Sequence, residues 1–266
     1  MSARRTRALL TLALLAASCA PNARRPAPLD LATLADRYER LRETRAARAR
    51  ATRLDGTLWV EGEAVGRWPA IDLDVALAGP DAIRARMASL FGTALDLTVR
   101  DDTLRAWVPP RRIAIETGSL GDSLGVREPG AWACRVFAAD WTASNAEWTP
   151  PSRDTLWWAR WSESGDSLAM GVGTDGLPQR VRLWDDPGRS LEVRYPDWGW
   201  QSGQAWPERI EVVEGDRHWR VSCRIERFQF ADRPDPRWLA LSIPSGVERV
   251  DWSRLRRALE RMREAR

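Results

Sequence analysis

Ile71-Asp72-Leu73-Asp74-Val75-Ala76-Leu77 sets aliphatic residues at every second position with two aspartates between them, and Leu95-Asp96-Leu97-Thr98-Val99-Arg100 repeats the alternation. A period of two places the aliphatic side chains on one face of an extended chain and the carboxylates on the other. Gly79-Pro80 and Asp101-Asp102 close the two runs with turn chemistry. Antiparallel strands that are dry on one face need something to cover it.

Working outward, the same pattern predicts strands over residues 58–62, 68–77, 83–90, 95–99, 104–108 and 113–116. It stops between Gly118 and Pro151, where Gly121, Gly125 and Pro129-Gly130 interrupt it and residues 131–139 fit a short helix. It resumes over 155–162, 167–172, 179–184, 190–195, 208–213 and 218–230, joined by Asp175-Gly176, Asp185-Asp186 and Glu214-Gly215 as hairpin turns. Ahead of the strands, Asp30 can cap a helix with Leu31, Leu34, Tyr38 and Leu41 along one stripe. Arg45, Arg48 and Arg50 crowd its C-terminal end, where the helix dipole favours cations. A second amphipathic helix fits residues 253–264, with Leu255, Leu259 and Met262 on one side and arginines elsewhere. The expected class is mainly β (α+β): a single highly curved antiparallel sheet of about twelve strands, its concave side covered by helices. No repeat of solenoid or propeller length is present.

The 266 residues are 44% hydrophobic, enough for a sizeable core and against wholesale disorder. All 41 basic residues are arginines, scattered, with a net charge of +4, so no nucleic-acid footprint is visible. The N-terminus reads as a targeting segment. Arg4, Arg5 and Arg7 precede an apolar run from Ala8 to Ala17, too short to span a bilayer, which ends in Leu15-Ala16-Ala17-Ser18-Cys19. Small residues before a cysteine resemble the bacterial lipobox, with Ala16 standing where leucine is usual. That resemblance implies cleavage after residue 18, acylation of Cys19, and, with Ala20 following, placement in the outer membrane facing the periplasm. An ordinary signal peptide with a nearby cysteine is the alternative. The chain then divides into a leader (1–18), an acylated cysteine and proline-rich leash (19–29), and one domain (30–266). In an oxidising compartment Cys134 and Cys223 are allowed a disulfide, and two buried thiols are the other reading.

Three stretches carry a family resemblance: Leu54-Asp-Gly-Thr-Leu-Trp-Val60; Ile83-Arg-Ala-Arg-Met-Ala-Ser-Leu-Phe-Gly-Thr93 with the two strands after it; and Trp206-Pro-Glu-Arg-Ile-Glu-Val212 with His218-Trp-Arg-Val-Ser-Cys-Arg-Ile225. They resemble the lipoprotein-localisation factors, the Lol periplasmic carrier and its outer-membrane lipoprotein receptor. The resemblance implies an incomplete β-barrel lidded by helices that holds acyl chains of lipoproteins or lipids, with the inner leaflet of the outer membrane, a periplasmic carrier or an envelope complex as partners. The inward set Ile71, Leu73, Val75, Leu95, Leu97 and Val99, with Trp219 and Val221, is the expected lining. Leu90-Phe91-Gly92 matches the receptor's Pro-Leu-Gly hand-over loop with leucine in place of proline, so Phe91 either protrudes as a wedge or tucks into the core.

Little points to catalysis. His218, the only histidine, shares a strand face with Arg220 and Ser222, and two distant cysteines make a poor metal set. Asp72 with Asp74, or Asp101 with Asp102, fit solvated aspartates better than an acid–base pair. No enzyme activity, metal or cofactor is expected. Tryptophan is the outlier, at 16 residues. Trp157, Trp158 and Trp161, Trp198, Trp200 and Trp206, and Trp184 can line an acyl cavity, fill a core or stack on sugars. Glycan binding through surface tryptophans, with Trp198-Gly199-Trp200 on a loop, or a structural envelope role, is therefore the alternative function.

Overall fold

The computed structural model describes residues 30–63, 66–121, 128–143, 145–151, 154–163, 165–184, 190–214 and 219–252. The chain divides into Met1–Asp30 and Leu31–Arg266, and the sheet and its helices belong to the second unit. The leader, Cys19 and its leash, His218 and the 253–264 helix lie outside the described residues.

After helix α1 (Leu31–Ala49) come β1 (Ala51–Gly62), β2 (Gly66–Arg67), β3 (Ile71–Ala78), β4 (Ala82–Ser89), β5 (Gly92–Arg100), β6 (Thr103–Val108) and β7 (Ile113–Thr117). Helix α2 (Pro129–Ala138) follows. Then come β8 (Glu147–Thr149), β9 (Trp157–Glu163), β10 (Asp166–Val172), β11 (Pro178–Trp184), β12 (Ser190–Gln201), β13 (Gln204–Glu214), β14 (Trp219–Phe230) and β15 (Glu248–Asp251). One open sheet runs β15-β7-β6-β5-β4-β3-β1-β14-β13-β12-β11-β10-β9-β8, with β2 against β1. Every neighbour pair along this path is antiparallel except β15, which lies parallel to β7. A sheet of this width curls because each strand twists relative to the next.

Expectation and structure differ in four places, the first being β1, which begins at Ala51 ahead of the expected 58–62. Three short strands, β2, β8 and β15, add to the twelve read from alternation, because two to four residues are too few to show a period. Trp198-Gly199-Trp200 is strand β12, not a loop; register shifts between Arg194 and Trp198 break the simple alternation there. The stripe on α1 is Leu34, Tyr38, Arg45 and Ala49, while Leu31 is exposed. Arg45 is thus not an end-of-helix surface charge; it falls on the buried face at helical spacing.

Register carries the dry face around the sheet. Ile115, Ala106, Leu97, Ala85, Val75 and Leu54 oppose one another in turn from β7 to β1. From β1 onward Val60, Val221, Val212, Val193, Val181 and Met170 do the same. Close packing of β1 on β14 depends on Gly56, where a Cβ would lie 2.1 Å from the Arg224 carbonyl oxygen beside a register shift.

Candidate functional site

Helix α1 packs against β1 and β13, and α2 packs against β4, β5, β13 and α1. Both helices therefore lie over the apolar concave face. Pro129 opens α2 at a position whose missing N–H costs nothing. Gly130 follows, its N–H donating to the Asp101 carbonyl; a Cβ there would come within 2.1 Å of the Asp81 carbonyl oxygen. The helix ends with Ala139 in the left-handed region and Asp140 N–H donating back to the Arg135 carbonyl.

A buried polar relay ties the two helices together. Arg45 donates through Nε to the Ala138 carbonyl at 3.1 Å and through Nη2 to the Ala139 carbonyl at 3.3 Å. These are orphan carbonyls at the negative end of α2, so the guanidinium satisfies both the hydrogen bonds and the dipole. Its plane lies 5.1 Å from the Trp198 ring centre, its Nη1 has no protein partner, and burial holds its pKa below the usual value. Tyr38 donates to the Trp141 carbonyl, Trp141 Nε1 donates to Tyr195 Oη at 2.9 Å, and Tyr195 donates to the Val136 carbonyl at 3.0 Å. Burial pushes both tyrosines well above their ordinary range, so they stay neutral. Arg42 adds an ion pair to Asp140 at 2.9 Å. Sequence reasoning missed this cluster because Arg45 was read by charge; its spacing of seven from Tyr38 and four from Ala49 was the available signal.

The expected lining residues divide. Ile71, Leu73, Val75 and Val99 are buried in the core cluster, and Leu95, Leu97 and Val221 pack against it half-buried. Trp219 does not join it; it pairs with Gly62 at the end of β14. The face is occupied by the protein's own helices. A cleft of about 930 Å³ opens elsewhere, between the end of α1, α2 and the Gly79–Asp81 and Asp101-Asp102 turns, and none of the eight residues lines it. On the β4–β6 side, Met87, Leu95, Leu97 and Val108 are only partly covered, as are Trp132 and Phe137 of α2.

Leu90 and Phe91 form the β4–β5 turn and are fully exposed, which settles Phe91 as a protruding residue. Phe91 N–H donates to Ser89 Oγ at 3.2 Å, holding the tip outward. Cys134 and Cys223 are free and buried, against the disulfide reading. Cys134, on α2, donates to the Ala82 carbonyl of β4, whereas Cys223 lies on β14. Asp74 is engaged by Arg53 and Asp72 is exposed; the Asp81 carboxyl beside Asp101 pushes the latter upward. Among the 16 tryptophans, Trp68, Trp184 and Trp200 are the exposed ones.

No protein-family model and no curated protein matches the chain. Solved structures match in shape. An outer membrane lipoprotein-sorting protein domain from Vibrio parahaemolyticus superposes with a TM-score of 0.50 at 6% identity, over 75% of this chain and 93% of that one. The two share a fold. A DUF1329 family protein from Desulfovibrio piger gives 0.50 at 9% identity, over 78% and 97% of the two chains. A LolA superfamily protein from Nitrosomonas europaea gives 0.49 at 10% identity, over 77% and 97%. At such identities the likeness is one of fold, an incomplete barrel with helices over its concave face.

Proposed function

We propose that this chain is an envelope lipoprotein, anchored in the outer membrane through an acylated Cys19 and facing the periplasm. It shelters the acyl chain of a lipoprotein or lipid against its concave face and passes it on. The observation that carries the reading is the cover itself: a continuous apolar sheet face closed by two helices, with a small set of polar bonds joining the α1 side chains to the C-terminal end of α2 and the residues after it. Strand pairing holds the sheet, so the helices can shift without breaking it.

Loading requires α2 to lift from β4 and β5, exposing Met87, Leu95, Leu97 and Val99 to an entering chain. Each methylene transferred from water to that face contributes ~0.8 kcal/mol, so a fatty acyl chain outweighs the few hydrogen bonds released. Leu90-Phe91, exposed at the tip of the same hairpin that would carry the cargo, supplies the hand-over loop toward a membrane or a carrier. The chemistry is burial and release, with no bond made or broken. Stacking on glycans is less well supported, because thirteen of the tryptophans are buried or half-buried. The acyl content of protein purified without detergent tests the reading.

A further inference from the structure

β15 lies parallel to β7 with Asp251 opposite Glu116, so the chain leaves β15 at the end where β7 runs on into Thr117 and Gly118. Trp252 packs against the core cluster and fixes that point of departure. Just beyond β7, Leu120 N–H donates to the Asp102 carbonyl and Gly121 N–H to Asp102 Oδ1. Gly121 and Asp102 both line the cleft of about 930 Å³ between α1, α2 and the turns. The chain therefore passes its last strand at the rim of that cleft. The cleft has two chemistries. Ala46 and Ala49 of α1 with Ala131, Cys134 and Ala138 of α2 give it walls of small apolar side chains. Asp81, Asp101, Asp102 and Glu128 line it too, with Arg50 among them and Arg100 exposed next to Asp101. Asp140 and Arg135, also in the lining, are engaged by Arg42 and Glu163. The Asp81 carboxyl pushes the neighbouring Asp101 upward, a conflict that a guanidinium would relieve. Residues 253–266 carry the complement: Leu255, Leu259 and Met262 at helical spacing, and six arginines against two glutamates.

We propose that residues 253–266 dock in this cleft as a clasp across α1 and α2, with Leu255, Leu259 and Met262 against the small apolar walls and the arginines at the carboxylates. As a helix the segment reaches about 21 Å, long enough to lie along the cleft from its rim. Alanine walls leave room for leucine and methionine side chains, whose burial supplies the affinity. Exposed ion pairs add little each, so the charges set the orientation. Because the segment is tethered at the rim, its own cleft meets it at an effective concentration on the order of millimolar, ahead of a second copy. Seated there, it holds down the start of α2, where Gly130 N–H already donates to the Asp101 carbonyl. The docking needs neither the lipid anchor nor an acyl cargo, and so goes beyond the function proposed above without resting on it.

The test compares residues 20–266 with a chain stopped after Trp252, which keeps every residue of the described core. Amide exchange over residues 129–140 rises by about ten-fold in the shorter chain, while β1 and β3 keep their protection. Arg256→Glu with Arg257→Glu raises exchange over the same residues, and added salt narrows its difference from wild type. Benzoylphenylalanine in place of Leu259, activated by light, cross-links to peptides that contain residues 46–50 or 131–138. In a mixture of isotopically heavy and light chains these cross-links stay within one chain. Neither the charge reversal nor the cross-linker alters a described residue, so both measurements hold even where the shorter chain folds poorly. Unchanged exchange over 129–140 in a folded shorter chain, no effect of the charge reversal, or cross-links that fall elsewhere or between heavy and light chains would overturn the proposal. None of these measurements reads acyl content, so a failed clasp and a failed cargo reading are told apart.

Discussion

Arg45 on α1 donates to the carbonyl of Ala138, the last residue of α2, across 93 positions of sequence. The bond joins the two helices that cover the sheet, and it is made by a cation that burial penalises. Replacing Arg45 by methionine keeps an unbranched apolar stem while removing the donor and the buried charge. The carbonyls of Ala138 and Ala139 then lose their partner, a change of about 1.5–3 kcal/mol for bonds to a charged group. Amide hydrogen exchange in α2 should rise by roughly ten- to hundred-fold while that of β3 and β1 stays put. Unchanged exchange at Val136 to Asp140 would show that Arg45 does not hold the cover.

The other end of α2 is pinned by backbone. Gly130 has no room for a Cβ against the Asp81 carbonyl, and the obstacle cannot swing away as a side chain could. Gly130→Ala should therefore displace the start of α2 and lower the melting temperature by several degrees, about 2–4 °C for each kcal/mol lost. A melting temperature within a degree of wild type would show that the helix start is free to move.

Leu97 sits in the middle of the apolar row, opposite Ala85 and Ala106 and half-buried. Leu97→Asp places a carboxylate where the acyl chain is proposed to lie and should abolish cargo retention. Leu97→Ala, which keeps the face dry, should weaken it only in part. Circular dichroism separates a folded, empty Leu97→Asp protein from an unfolded one. Full cargo in the folded Leu97→Asp variant would remove this face from the site.

Burial pushes the thiols of Cys134 and Cys223 up to about 12. Their unfolded value is about 8.5, so the folded state holds these protons more tightly than the unfolded state does. Their contribution is fully present below about pH 8.5 and declines as pH rises toward 12, by roughly 1.4 kcal/mol per pH unit for each thiol. Stability measured from pH 8 to 11 should fall with a slope that is reduced when Cys223 is replaced by alanine. In native protein neither thiol should react with a disulfide reagent, and reduction should leave the mass unchanged.

Much of the sheet was legible because its signal is local. Ile71 to Leu77 and Leu95 to Val99 alternate cleanly, and their turns carry glycine, proline and aspartate. The covering helix α2 was legible from the break in that alternation. The lid contacts were not, since Arg45, Trp141 and Tyr195 meet only after the chain has crossed the sheet, and no spacing in sequence relates them. The exposed Leu90-Phe91 turn was visible as a pair of residues but not as a direction; only the Ser89 hydroxyl and the register of β4 with β5 fix which way it points. Trp219 was assigned inward by alternation alone, yet at the start of β14 the core has already ended.

The measurement that bears most directly on the central claim is mass spectrometry of an organic extract of residues 20–266, secreted to the periplasm and purified without detergent. The account predicts a stoichiometric acyl lipid or lipopeptide, lost in folded Leu97→Asp. A clean, empty extract from folded wild-type protein would contradict it.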